Sequence, residues 1–238
     1  MSTNRPGTDG IDHLFGRPTV RKSAGAPAAS PTGGAESAGL RELRRGFEEA
    51  ARDARRVAEG LTTSQVNWRP AAGRWSIAEC FGHLNIFGSE MLPVIDEAIV
   101  QARFRGWYSS GPFRPGFVGR WLLKGTEPPV RRRRRSLDQH VPRSDQDAKD
   151  VLAALVDLNG LLASRVASAN GLDLSRPKIS LPGVRLFRLT LLEVFLFIAA
   201  HGRRHMAQAR AVRENALFPK PSPGPEEADT SVLARPFR

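Results

Sequence analysis

Apolar residues along the chain fall into four helical stripes separated by polar, Gly- and Pro-rich connections. Leu40, Leu43, Phe47, Ala50, Ala54, Val57 and Leu61 recur at alternating threes and fours, the spacing of one face of an amphipathic helix. A second stripe opens at "WSIAE", where Ser76 and Glu79 make an S-x-x-E capping box, and continues through Ile77, Phe81, Leu84, Met91, Ile95 and Ala102. Gly88 and Pro93 fall inside it and predict a bend. A third starts at "SDQD" and runs through Val151, Leu152, Leu155, Leu158, Leu162 and Val166 to a stop at Asn170-Gly171. The fourth, from about Leu189 to Glu214, begins with the most apolar run of the chain, "LTLLEVFLFIAA". No stretch alternates clearly enough to predict a strand, although "RRRRRSL" and "KISLPGVRLF" are candidates for locally extended chain. The expectation is an all-α fold, a four-helix bundle.

The connections are uneven: short after the first helix, then about forty residues between the second and third. A loop that long, 106–143, inside a compact domain usually serves as a lid or a binding surface. Residues 1–35 are rich in Gly, Pro, Ser and Ala with no apolar period, and predict a disordered N-terminal tail. Residues 218–238, in the proline-rich stretch "FPKPSPGPEEADTSVLARPFR", predict a second tail, which leaves 36–217 as the bundle.

Composition changes this picture in one place. The formal charge of +12 is concentrated: Arg103, Arg105, Arg114, Arg120, Lys124 and Arg131 to Arg135 stand against one acid, Glu127, between residues 103 and 135. Mixed with Trp107, Tyr108, Phe113, Phe117 and Trp121, these cations have the composition of a nucleic-acid surface or of a contact with an anionic membrane. No helix-turn-helix or zinc-finger spacing accompanies them, which speaks against nucleic acid. The aromatics are expected to fold the loop onto the bundle, since exposing them all invites aggregation. The arginines would then line a pocket mouth and attract an anionic small-molecule substrate. A single cysteine, Cys80, excludes an internal disulfide. With no secretory h-region at the N-terminus and no apolar run of bilayer length, a cytoplasmic protein without a transmembrane segment is expected. A homodimer is left open.

Of five histidines, His201 and His205 in "AAHGRRHMAQAR" lie four apart on the fourth helix. That spacing stacks them one turn apart in the apolar lane of Val194, Ile198 and Val212. One buried imidazole is easily satisfied by a backbone partner, and ordinary core histidines remain the plain alternative. Two unpaired imidazoles in an apolar lane are costly, however, and a metal ion satisfies both. His83, in "ECFGHLNIF", sits on the shoulder of the second stripe and is the candidate third ligand. His13 in the tail and His140 in the loop beside Pro142 are set aside as ligands.

The stretch "VNWRPAAGRWSIAECFGHL", followed more than a hundred residues later by "HGRRHMAQ", resembles the DinB-like (DinB/YfiT) superfamily over residues 38–214. The segment "GPFRPGFVGRWLLKGTEPPVRRRRR" is similar to an insert in a subgroup of it. The resemblance implies a bacterial four-helix bundle with a three-histidine metal site, and His83, His201 and His205 match its ligand positions. It implies zinc or nickel as the metal. Among such proteins are transferases and isomerases that use a low-molecular-weight thiol such as mycothiol or bacillithiol. The leading expectation is therefore a metal-dependent transferase acting through an activated thiol. A hydrolase using metal-bound water comes next, and a non-enzymatic module binding through the basic loop stands apart from both.

Supporting roles divide more evenly. Gln208 is either a hydrogen-bond partner of the site or a solvated residue, and Glu79 is explained by its cap. Glu193 is a group that orients a ligand, a base, or one half of a helix-edge salt bridge, the last being commoner. Cys80 is a thiolate at the site or a small core residue, the latter being commoner. Arg203 and Arg204 either bind an acidic partner or are surface charge.

Overall fold

The computed structural model describes residues 36–128, 140–181 and 184–220, without the side chains of 184–187. Its helices are α1 (Ala38–Ala58), α2 (Thr63–Asn67), α3 (Ile77–Phe104), α4 (Phe117–Thr126), α5 (Ala148–Ser168) and α6 (Leu191–Arg213). A two-stranded sheet, β1 (Lys178–Leu181) and β2 (Val184–Thr190), precedes α6. The N-terminal tail and the arginine run 131–135 lie outside the described residues.

The long helices form the expected bundle. Each starts where a side chain satisfies the orphan N–H groups of its first turn: Ser37, Ser76, Asp147 and Thr190 are the N-caps of α1, α3, α5 and α6. The caps of α3 and α6 are full capping boxes, closed by Glu79 and Glu193. α1 packs against α5 and α6, and α3 packs against the same two. Consecutive bundle helices α1 and α3 are therefore diagonal, and α3 is a direct neighbour of α6. Phe47, Phe81, Ile77, Met91, Ile95, Leu155, Leu162 and Phe195 fill the centre, all fully buried. By length and composition one described helix, α5, could cross a bilayer; here Val151, Leu155, Leu158 and Leu162 bury its apolar face in the bundle.

Several local expectations change. α3 continues through Pro93 as one element. Pro93 removes a helical N–H, but both it and Ser89, whose carbonyl loses the partner, are exposed, so water takes the bond. "KISLPGVRLF" is a hairpin, with Ile179 opposite Leu189 and Ser180 opposite Arg188. The loop 106–143 contains α4, which packs on α6. Trp107, Tyr108 and Phe113 pack against the core as expected, whereas Phe117 (77% exposed) and Trp121 (58%) face outward. At the other end of the bundle Phe218 meets Trp68 edge-on at 5.5 Å, and Gln65 Nε2 donates to Pro219 O at 2.9 Å.

Candidate metal centre

The three histidines singled out by spacing converge at the seam between α3 and α6. One ligand atom from each of His83, His201 and His205 lies within 4.8 Å of the others. His83 is on the second turn of α3, whose start is fixed twice. Glu79 accepts from the Ser76 backbone N–H at 2.9 Å, and it takes a two-pronged ion pair from Arg69 at 2.8 and 2.5 Å. The buried Glu79 carboxylate is thus fully used in setting the register of the turn that carries His83. On α6, His201 and His205 share a face by the four-residue repeat.

Hydrogen bonding selects the tautomer of His83. Its Nδ1 lies 2.8 Å from the carbonyl oxygen of His140. A carbonyl only accepts, so Nδ1 carries the proton and Nε2 presents a lone pair. That lone pair faces Nε2 of His201 at 2.9 Å. A backbone carbonyl behind the distal nitrogen is the common arrangement around metal-binding histidines. Two nitrogens bound to one ion at 2.0–2.1 Å stand about 2.9 Å apart at a right angle and about 3.3 Å apart at the tetrahedral angle. The observed pair has the separation of two ligands at a right angle on one ion, which is also the length of an N–H···N hydrogen bond. On the third ring, His205 Nδ1 is buried without a hydrogen-bond partner, a costly state for a polar atom unless something else fills the site. The donor set, three neutral imidazoles, suits a divalent transition metal.

Aromatic rings hold the imidazoles in place. Trp75 stacks on His205 (centroids 5.5 Å apart, planes at 28°) and leans on His83 at 4.9 Å. Phe87 lies parallel to His201 at 5.0 Å. Burial, the largest effect on all three, pushes each imidazole toward its neutral form. His201 falls to about 3, His205 falls well below the usual histidine value, and His83 is lowered despite its bond to the His140 carbonyl. Arg204 and the neighbouring imidazoles push His201 and His205 the same way. Neutral rings with free lone pairs are the metal-binding form.

The other candidates sort clearly. His140 is buried and, as expected, stands outside the cluster, but it is not remote from it. Its carbonyl fixes His83, and its own Nε2 is 2.8 Å from Glu90 Oε2. Sequence reading missed this role, together with the stacking of Trp75. Gln208 lies against His205 and favours its charged form. Among the described residues, Glu193 bonds backbone N–H groups and no cation. It closes the α6 capping box, and its Oε1 accepts from Gly116 N at 2.8 Å, tying the start of α4 to α6. Cys80 is wholly buried, its thiol pushed up by burial, and belongs to the core. Arg203 pairs with Glu127 at the end of α4, with Nε to Oε2 at 3.0 Å.

No curated protein matches the chain. Among solved structures, YfiT from Bacillus subtilis, described as a probable metal-dependent hydrolase with an unusual four-helix bundle topology, aligns with a TM-score of 0.48 and 16% identity, over 73% of this chain and 85% of that one. The family model of the DinB superfamily matches residues 46–209, a span that begins in α1, ends in α6 and includes all three histidines; the chain belongs to the DinB superfamily.

Proposed function

We propose that His83, His201 and His205 hold a divalent metal, zinc or nickel, and that the protein is a metal-dependent transferase working on a small molecule through a low-molecular-weight thiol. The observation that carries the metal reading is the 2.9 Å approach of two imidazole nitrogens, one of them stripped of its proton by the His140 carbonyl. When bound, such an ion acidifies a thiol or water beside it and supplies a nucleophile near neutral pH. The chain's own part is to present three neutral lone pairs, hold their rings between Trp75 and Phe87, and keep bulk water from the apolar side.

The choice of a thiol over water rests on what surrounds the cluster. Among the described residues, the nearby carboxylates are committed elsewhere: Glu79 to Arg69 and Ser76, Glu193 to Thr190 and Gly116. Glu90 is paired with His140. A thiol starts at a pKa of about 8.5 and needs little help to ionise, whereas water starts near about 15.7 and gains most from a base. A site without a dedicated base therefore suits the thiol. Reduced thiols of this kind belong to a cytoplasmic setting.

Elemental mass spectrometry on tag-free wild type, His83→Ala and His205→Ala tests the metal. Near-stoichiometric zinc or nickel in wild type, lost in both variants, is expected; absence of metal after incubation with both ions would return the histidines to the core. Metal-loaded protein is then offered electrophilic substrates with and without mycothiol or bacillithiol. Turnover that does not depend on added thiol would refute the transferase reading in favour of a hydrolase.

A further inference from the structure

A cavity lies in the bundle beside the histidines, with none of the three in its lining. It has a volume of about 480 Å³. Its exposed lining residues are Gly46 and Glu49 of α1, Arg203 of α6 and Pro128 just beyond α4, so it opens between α1 and α6 beside the end of α4. Its floor is formed across the bundle by Leu84 and Phe87 of α3 and by Leu155, Leu158 and Leu162 of α5. Native interiors rarely leave more than a water-sized void, while ligand pockets run from roughly 300 to 1,000 Å³.

We infer that this cavity is a binding site for an uncharged, mainly apolar small molecule that carries a hydroxyl group. Three observations support that assignment. First, small residues create the opening. A Cβ built on Gly46 or Gly202 would meet nothing within 4 Å, so packing does not demand glycine at either place. Glycine inside a helix is destabilising relative to alanine, and what these two positions preserve is the space itself.

Second, the depth of the cavity is carbon apart from one amide. Asn159 is buried and lines it, and its Nδ2 donates to Leu155 O at 2.8 Å. One of its two amide N–H groups is occupied, which leaves the carbonyl oxygen as an acceptor and the second N–H as a donor, a pair that a ligand hydroxyl can meet. Third, among the described residues the charges at the rim are already paired. Glu49 bonds Arg52 and Arg56 at 2.7 and 2.6 Å, Asp53 pairs with Arg210, and Arg203 pairs with Glu127. A rim with its charges spent gives no hold to an ionic head group. A cavity of roughly 150 Å³ accepts benzene, so this one has room for a body of roughly two or three rings. Phe87 is the shared wall: it lines the cavity and stacks on His201.

Isothermal titration of the full chain with 1-naphthol, and with its methyl ether 1-methoxynaphthalene, tests the assignment. The expected result is saturable one-to-one binding of 1-naphthol, at least tenfold tighter than the ether. Gly46→Leu and Ala50→Leu, which place good helix formers at the opening, should each weaken it tenfold or more with the circular dichroism unchanged. Asn159→Leu should bring 1-naphthol down to the affinity of the ether, and His201→Ala should leave the dissociation constant within threefold. No saturable binding, equal affinity for the two probes, or loss of binding in His201→Ala but not in Gly46→Leu would overturn it.

Discussion

The metal-free protein should lose stability on acidification through its buried histidines, and the share of His201 can be worked out. In the unfolded chain its pKa is the ordinary 6.5; in the fold, burial, then the neighbouring His83, Arg204 and His140, hold it at about 3. Between those values the unfolded chain takes up a proton that the folded protein refuses. Stability from this residue is complete above about pH 6.5 and is lost progressively as pH falls toward 3. At about pH 5 the unfolded side is some 1.5 units into its titration, worth about 2 kcal/mol. That figure is a ceiling, since the ring keeps an edge toward solvent. Urea unfolding of chelator-treated wild type and His201→Gln at about pH 7.5 and pH 5 isolates the contribution. Wild type should lose up to about 2 kcal/mol more than the variant between the two conditions. Equal losses would mean that the folded ring protonates freely, which is incompatible with an imidazole enclosed by His83, His205 and Phe87.

Three substitutions probe the supports of the site. Arg69→Met leaves the buried Glu79 carboxylate with its cap alone and should cost about 2–4 kcal/mol in chemical denaturation; a change below about 0.5 kcal/mol would show the pair to be ordinary surface charge. Glu193→Ala orphans the N–H groups of Thr190 and Gly116, with an expected loss of about 2–4 kcal/mol, whereas Glu193→Gln should recover part of it. Trp75→Ala removes the ring stacked on His205 and should weaken zinc binding by roughly tenfold in a competition titration, the scale seen when groups behind metal ligands are removed. An unchanged zinc affinity would restrict Trp75 to packing.

The four long helices and the three converging histidines were legible because each is written as a period. A stripe at threes and fours records which face is buried, and His201 and His205 fall in such a stripe. His140 escapes that logic. It lies in a connection where burial follows no repeat, and its contribution to His83 is made by a backbone carbonyl that any residue type possesses. α4 is hidden for a related reason: Phe117 and Trp121 point outward, so the helix does not display a core-facing stripe of large residues. Glu193 stood out because an acid inside an apolar run is conspicuous, and the expected salt bridge was the wrong partner for it. Its three-residue spacing from Thr190, the same S/T-x-x-E signature recognised at Ser76 and Glu79, was the signal that explained it. The diagonal placement of α1 and α3 had no sequence signature, since local periodicity fixes each face but not the order in which faces meet.

That diagonal order makes α3 and α6 touch, although His83 and His201 are 118 residues apart in the chain. An ion gripped by both would act as a clasp around half the molecule. Closing a loop of that size by a cross-link removes about 5 kcal/mol worth of freedom from the unfolded chain. The clasp would also outlast a break in the backbone. A protease cutting between α3 and α5 would leave one fragment bearing His83 and another bearing His201 and His205, with the metal as the joint that keeps the two pieces assembled.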